Sequence, residues 1–562
     1  MNITDPIRQH AQSTPNAPAI VRTTGRVVTY AELDRTIDAI AHRALGLGLE
    51  PGDVAGLAIE NTRGVGATYA ILALSLGLAR AGMAAKIMSA SGAPVALCFV
   101  AGEVEVPDDV RTVAVDRDWL RPPEAGSAAP MPTFQDGSAI CRIFPTSGTT
   151  GVQREVAVSH DLMAMRVRQK KPSVVVRGKP ILAAQLGAGS GYGFRNLLYV
   201  LAEGGSAALV RTPAQVIAAI ERMRVNWLAV APGTLPSLID EIPAGSGPYP
   251  WLDLVEVGGA HLAASLYERT RARLATNIRS SYGSTEVGSV AEGPMAELIR
   301  HPGAVGFVIP GCEVQAVDEG DQPLPPGTEG ILRIRGPGTV DGYVNDPAGS
   351  AAAFRNGWFH PGDLGTVSAE GMMTVTGRVI DIINKGGTKV SPRVIEEALL
   401  AVPGVTDAAA FGVPEPSGAT SICAAIVTDE RFSRTALRAA ARGLDPAQVL
   451  KTLVVRRGED DYLFVLVPGG RTLSWPKLRA LLGVSRLSLP DAAAAQAATG
   501  YERGTITPFG SLRAWPVVAD ERVRGGTVSI GAGAHGVSAT VSGDRLVEVL
   551  GASVADVTDP ES

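Results

Sequence analysis

The stretch AICRIFPTSGTTGVQREVAVSH (Ala139–His160) places a Ser/Thr/Gly-rich loop, TSGTTG at Thr146–Gly151, between two runs of strand-like composition, AICRIF and EVAVSH. Gly148 and Gly151 let backbone amides approach an anion closely, and the hydroxyls of Thr146, Ser147, Thr149 and Thr150 add donors. No Gly-Lys-Ser/Thr follows to open a helix, so this is not a Walker loop. Standing alone, a loop of this composition is an ordinary turn. Its meaning depends on the rest of the chain.

Outward from the loop the pattern is α/β. TYAELDRTIDAIAHRALGLGL (Thr29–Leu49) predicts a helix capped by Thr29, with Glu32 at capping-box spacing. PVALCFV and RTVAVD predict buried parallel strands, as do WLAVAP and LVEVGG further on. From Val305 to Arg335 the reading changes to short strands and turns, with a dense turn cluster at Asp318–Gly330. Composition shifts again after Leu444, where KTLVVRRGEDDYLFVLVPGG (Lys451–Gly470) reads as a hairpin around a charged turn that starts a new unit.

At 562 residues the chain is too long for one core, and two or three domains are expected. Its 45% hydrophobic and 19% charged composition is that of a globular protein, and the sparse aromatics with plentiful Gly and Ala predict small-residue packing. A net charge of −5 argues against a dominant nucleic-acid footprint. Cys98, Cys141, Cys312 and Cys423 form no CxxC pair, so they read as small buried hydrophobes rather than zinc ligands or a disulfide frame. The N-terminus has no basic-then-apolar signal pattern, and no window approaches about 18 uninterrupted apolar residues. A cytoplasmic protein without a membrane span is the expectation.

The loop has partners. SYGSTEVG (Ser281–Gly288) sets an aromatic, small residues, a hydroxyl and a carboxylate in sequence, able to stack a base, meet a phosphate and hold Mg²⁺. GWFHPGDLG (Gly357–Gly365) places Asp363 in a Gly-rich turn, where a carboxylate can accept from two ribose hydroxyls. GRVIDIINKGGTKVSPRVIEEAL (Gly377–Leu399) supplies Arg378 and a Gly-Gly turn before a helix starting near Ser391.

In this order the motifs resemble the ANL family of acyl-CoA synthetases, luciferases and nonribosomal peptide synthetase adenylation domains. The resemblance covers roughly residues 1–430. It implies ATP and Mg²⁺ as cofactors, with the phosphates on Thr146–Gly151. Tyr282, beside Gly283, would stack on adenine, and Gly258, Gly259 and Ala260 would line the adenine and substrate side. Thr285 would touch the α-phosphate, Glu286 would bind the metal, and Asp363 and Arg378 would hold the ribose. The implied chemistry is carboxylate attack on the α-phosphate, giving an acyl-adenylate and pyrophosphate, followed by rotation of the small domain about a hinge after Gly377. A thiol then accepts the acyl group past Gly386 and Gly387.

This chain departs from the family pattern in places. The loop continues Gln153-Arg154 rather than Pro-Lys, and the hinge position is Ile380, followed by Asp381. ARAGMAAKIMSASG has lost the usual Pro-containing strand. The adenylation lysine, expected in a Pro-(x)n-Gly-Lys turn after Ala424–Val427, is missing; by analogy one lost donor of this kind costs about 10²–10³ in rate. Lys451 or Lys477 are the substitutes to consider. LGAGSGYGFRNLL (Leu186–Leu198) contains no acid, which points to a carboxylic acid without a free α-amine more than to an amino acid.

The last segment carries KTLVV (Lys451–Val455), TGYERGTITPFG (Thr499–Gly510), VVADE (Val517–Glu521) and a Gly-rich strand, GAGAHGVS (Gly531–Ser538), with His535. It resembles the YbaK/ProX family of aminoacyl-tRNA deacylases, found also as the editing insertion of bacterial prolyl-tRNA synthetases. By that resemblance the Gly504–Pro508 loop would hold an aminoacyl ester, with Lys451 on the ester or terminal nucleotide. His535 reads as a general base or as a structural histidine.

The expected architecture is therefore a large α/β ANL domain of layered sheets and helices (1–376), a small α+β subdomain lacking the lysine turn (377–444), and an α+β YbaK/ProX-like domain (445–562). The expected function is an AMP-forming ligase that loads a small carboxylic or amino acid onto a thiol, carrier-protein phosphopantetheine before CoA, with an editing unit attached. Two alternatives stay open. One is an aminoacyl ester or thioester hydrolase, acting on tRNA or carrier protein, with a degenerate adenylation domain. The other makes the last unit a non-catalytic lid or carrier-protein docking surface.

Overall fold

Thr29 caps the helix Tyr30–Gly46 as its sequence predicts. The Glu32 amide donates to Thr29 Oγ1 at 3.3 Å and the Thr29 amide donates to Glu32 Oε2 at 2.9 Å. That helix packs on Ala67–Arg80, whose sequence ATYAILALSLGLAR is apolar on nearly every side and is buried accordingly. Small residues set their spacing: a Cβ on Gly77 would lie 2.4 Å from Ile40 Cγ2. The helix ends on a fully buried Arg80, neutralised by Asp34 and Asp38 at 2.7 Å each.

The computed structural model describes the chain apart from residues 23–24, 61–65, 89–93, 127–129, 147–153, 386–387, 401, 403, 415–419, 429–436, 438–443, 534–536 and 562. Two compact units divide between Ile380 and Asp381.

The first unit holds two sheets. The smaller runs Thr112–Ala114, Leu97–Ala101, Val54–Ile59, Ala84–Ile87, Ile140–Pro145 and Glu155–Ser159, parallel except for the last pair. Thr112–Ala114 is an exposed edge strand, not the buried one its composition suggests, because among the described residues no strand pairs beyond it. The strand judged lost from ARAGMAAKIMSASG is present without its proline, at Ala84–Ile87.

In the larger sheet, parallel strands Pro18–Val21, Ser206–Leu209, Ile181–Ala184, Trp227–Val230, Leu254–Gly258 and Ile278–Ser284 give way to an antiparallel half. That half includes Gly288–Pro294, Asp363–Val367 and Met372–Arg378. The parallel strands carry near-continuous apolar runs because both faces are covered. The C-terminal end of Leu254–Gly258 delivers Gly258, with Ser281 paired beside it on Ile278–Ser284, while Thr146 follows Ile140–Pro145 of the smaller sheet; ligand sites of such sheets form at these strand ends.

In the second unit, hairpins Ile383–Lys385/Thr388–Val390 and Val405–Pro414/Thr420–Thr428 flank the helix Pro392–Leu400. A four-stranded sheet follows, ordered Leu450–Gly458, Asp461–Pro468, Val517–Asp520, Ser553–Ala555, with the predicted hairpin as its first pair. Buried Asp520 anchors its far edge, accepting from Thr558 Oγ1 at 2.8 Å and the Val557 amide at 3.2 Å.

Cys98 and Cys141 are buried as expected, but Cys312 and Cys423 are only half-buried. Among the described residues no helix is long and apolar enough to cross a membrane.

One buried titratable group makes stability pH-dependent. His160 is fully enclosed, with Nδ1 accepting the Ile3 amide at 3.2 Å. Burial, then the N-terminal ammonium, pulls its pKa from 6.5 to about 4. The unfolded chain therefore binds the extra proton, and stability drops as pH falls from 6.5 towards 4, by about 3 kcal/mol. Urea midpoints measured across that window should fall for the wild type and flatten for His160→Gln, which keeps an acceptor for Ile3.

Candidate active site

Thr146 ends the strand Ile140–Pro145, and its amide donates to the Arg154 carbonyl at 2.8 Å, closing the base of the TSGTTG loop. Ser147, Gly148, Thr149, Thr150 and Gly151 lie outside the described residues. At the loop's far end, Arg154 Nε meets Asp346 Oδ2 at 2.8 Å and its guanidinium stacks 5.0 Å from the Tyr343 ring centroid. Beside it Lys86 and Glu155 form a buried pair at 2.8 Å.

Ile278–Ser284 and Gly288–Pro294 form a hairpin with Thr285 and Glu286 in its turn. A register shift between Tyr282 and Gly283 brings the Gly288 carbonyl within 2.0 Å of where a Gly283 Cβ would stand, so only glycine fits there. Glu286 is buried, and its Oε1 accepts from Tyr343 Oη at 3.1 Å. Its backbone is clamped as well: the carbonyl accepts from Arg166 Nη2 at 3.0 Å and from the Val340 amide at 2.9 Å. Arg166 also donates to the Gly338 carbonyl, and burial lowers its pKa to about 10.

The segment 338–346 thus ties the loop base to the Glu286 turn, with the Val344 amide on the Glu155 carbonyl at 2.8 Å. Arg166, Tyr343 and this segment were absent from the sequence reading. Their partners lie far off in sequence, 120 residues for Arg166 and 57 for Tyr343, so no local spacing reveals them.

Asp363 is not in a turn. It opens the strand Asp363–Val367, directly opposite Arg378, and is buried. Its Oδ1 meets Arg378 Nε at 3.1 Å and its Oδ2 accepts from Tyr282 Oη at 2.5 Å. Burial and the neighbouring Asp363 charge hold the Tyr282 hydroxyl protonated far above its ordinary range. Three residues from three motifs therefore form one unit. A carboxylate offers about four lone-pair sites across two oxygens, the acceptor capacity that a diol calls for.

Gly258 ends its strand with Ser281 and Tyr192 as neighbours, while Gly191 faces Thr285: added Cβ atoms would lie 3.5 Å from Tyr192 Cζ and from Thr285 Cγ2 respectively. The stretch Leu186–Leu198 carries no acid, yet a carboxylate stands behind it, since Tyr192 Oη donates to Glu256 Oε1 at 2.6 Å.

Glu286 fits the Mg²⁺ that the family resemblance implies. Among the described residues no cluster of three or more His, Cys, Asp or Glu forms. A single buried carboxylate suits Mg²⁺, which takes its other oxygens from phosphates and water.

In the second unit Lys451 is engaged: Nζ donates to the Arg471 carbonyl at 3.1 Å and pairs with Glu561 at 3.2 Å. Lys477 pairs with Asp556 at 3.0 Å and Asp559 at 2.9 Å. The Gly504–Pro508 segment is an irregular loop with the Ile506 carbonyl 3.6 Å from a Cβ on Gly531. The Gly-rich stretch is not one strand: Gly531 closes Thr527–Gly531, and Ser538, its antiparallel partner, opens Ser538–Ser542. His535, Gly386 and Gly387 lie outside the described residues.

Known proteins match most of this chain. The chain is 27% identical over 468 residues to a salicylyl-CoA synthase / salicylate adenylyltransferase of a Streptomyces species, covering 75% of this chain and 84% of that protein. It is 27% identical over 438 residues to the salicyl-AMP ligase / salicyl-S-ArCP synthetase of Mycobacterium tuberculosis, covering 71% and 76%. In fold it is similar to o-succinylbenzoate CoA synthetase from Bacillus subtilis, with a TM-score of 0.69 at 22% identity over 78% of this chain and 91% of that one. Residues 433–549 match the profile of an aminoacyl-tRNA editing domain. Residues 7–344, which contain the loop base, the Glu286 turn and Tyr343, match the profile described as AMP-binding enzyme, and the chain belongs to that family.

Proposed function

We propose that this chain is an AMP-forming ligase that activates a carboxylic acid lacking a free α-amine and passes it to a thiol. The observation that carries the reading is the joined Tyr282–Asp363–Arg378 unit, a buried acceptor between an aromatic and a cation, beside the clamped Glu286 turn. Asp363 would receive the ribose hydroxyls, Tyr282 would stack on adenine, and Gly283 and Gly258–Ala260 would border that pocket. Thr146–Gly151 and Thr285 would meet the phosphates. Mg²⁺ held by Glu286 would offset phosphate charge. The protein's own work is alignment of two anions and stabilisation of the charge that develops.

The acceptor we favour is carrier-protein phosphopantetheine over CoA. The Mycobacterium relative is named a salicyl-S-ArCP synthetase, although other relatives are named for CoA. With a suitable acid and hydroxylamine as a surrogate acceptor, the protein should release AMP and form the hydroxamate; ADP as the product would sink the reading.

We assign the C-terminal unit to editing of wrongly loaded acyl groups, with the Gly504–Pro508 loop at the ester. A second reading, a docking surface without catalysis, is favoured by one observation: Lys451 Nζ is committed to Glu561 and Arg471. If the unit edits, aminoacyl-tRNA or acyl-carrier substrates are hydrolysed and Lys451→Ala slows this about 10-fold or more, the scale of one charge-assisted contact. Hydrolysis that Lys451→Ala leaves untouched removes this lysine from the editing site.

A further inference from the structure

Behind the end of the Leu254–Gly258 strand lies a buried cluster of two carboxylates and two cations. Glu256, Glu292 and Lys170 are almost wholly enclosed, and Arg195 is buried beside them. Lys170 pairs with Glu256 at very short range and with Glu292 at 3.3 Å; Ser281 Oγ donates to Glu292 at 3.3 Å. Arg195 donates to Ser289 Oγ at 2.8 Å and stacks 5.5 Å from the Tyr192 ring centroid. Two negative charges meet two positive ones, so the cluster is internally balanced.

A balanced buried cluster is a poor source of net stability, since desolvation offsets most of the Coulomb gain. What it does here is fix one hydroxyl. Tyr192 Oη spends its only proton on Glu256 at 2.6 Å, and a Cβ on Gly258 would stand 3.5 Å from that same oxygen. Its ring is half-buried, and among the described residues nothing donates to its oxygen. The oxygen therefore faces the Gly258 side as an acceptor only.

We infer that Tyr192, its proton held by Glu256, is the specificity-determining acceptor of the acid site and selects carboxylic acids that carry an uncharged hydrogen-bond donor, a hydroxyl above all. The inference rests on the ligase reading above. Because Lys170 already neutralises Glu256, an ammonium entering the site finds no spare negative charge, which disfavours amino acids. An ether or hydrocarbon at the same place leaves the Tyr192 oxygen without a donor. Glu256 and Lys170 act through Tyr192 and are positioning residues.

The test is ATP–pyrophosphate exchange with matched benzoic and short aliphatic acids carrying hydroxyl, methoxy, ammonium or hydrogen at each position. The full-length wild type should favour one hydroxy acid over its methoxy and unsubstituted analogues by about 10- to 100-fold in kcat/KM. In Tyr192→Phe that preference should collapse to within about threefold while the KM for ATP stays put. In Glu256→Gln, whose amide can turn the Tyr192 proton outward, the methoxy acid should gain on the hydroxy acid. A hydroxyl preference that survives Tyr192→Phe, or a wild type that favours the methoxy, ammonium or unsubstituted acid, overturns the inference. A Glu256→Gln enzyme that loses ATP affinity and acid turnover alike, with the hydroxyl preference unchanged, overturns the positioning role. Exchange at background with every acid instead overturns the ligase reading itself, and the inference with it.

Discussion

Asp363→Ala should lower kcat/KM for ATP by about 10²–10⁴, most of it as a raised KM. The carboxylate is buried, and each hydrogen bond to a charged group contributes about 1.5–3 kcal/mol, so losing two to the ribose amounts to about 3–6 kcal/mol. The substitution also removes a partner from both Tyr282 Oη and Arg378 Nε. Asp363→Asn should be milder, since one oxygen remains to accept from Arg378. Steady-state kinetics with ATP varied at saturating acid separates these outcomes. An ATP KM unchanged in Asp363→Ala would contradict the ribose assignment.

The second large effect is expected at Glu286. Glu286→Gln keeps the shape and the Tyr343 contact but removes the charge, and should lower kcat by about 10²–10³ with the acid KM unchanged. Raising Mg²⁺ should recover part of the loss, because the carboxylate's proposed role is to hold that ion. Tyr343→Phe frees the same carboxylate oxygen and should shift the Mg²⁺ requirement far less. The two sites therefore carry different kinetic signatures, one in ATP affinity and one in turnover. A Glu286→Gln enzyme with a wild-type Mg²⁺ profile would remove this residue from the metal site.

The sequence-based expectation of a missing adenylation lysine concerns turnover as well. No lysine occurs between Lys389 and Lys451. Lys451 and Lys477, the substitutes considered from sequence, are both tied into ion pairs of their own unit.

Local chemistry was legible in the sequence wherever a few neighbouring residues determine it. The Thr29/Glu32 capping box, the hairpin after Lys451 and the strands flanking TSGTTG all follow from short-range rules. Asp363 read as a turn residue because glycines surround it, yet the partner that makes it a strand, Arg378, lies in a separate motif. Thr112–Ala114 read as buried because its composition is apolar, while edge position is a property of the whole sheet. Glu256 was invisible for a similar reason: Leu186–Leu198 itself holds no acid, and the carboxylate reaches Tyr192 from the strand Leu254–Gly258. Tertiary pairing, not residue type, separates what could be read from what could not.

The base of TSGTTG, the clamped Glu286 turn and the Tyr282–Asp363–Arg378 unit all serve one claim, that this family member still forms acyl-adenylates. Acid-dependent exchange of labelled pyrophosphate into ATP tests it most directly. At least one acid should raise exchange above the acid-free blank in the full-length protein, and Glu286→Gln should return it to near that blank. Exchange indistinguishable from the blank across a broad acid panel would contradict the account.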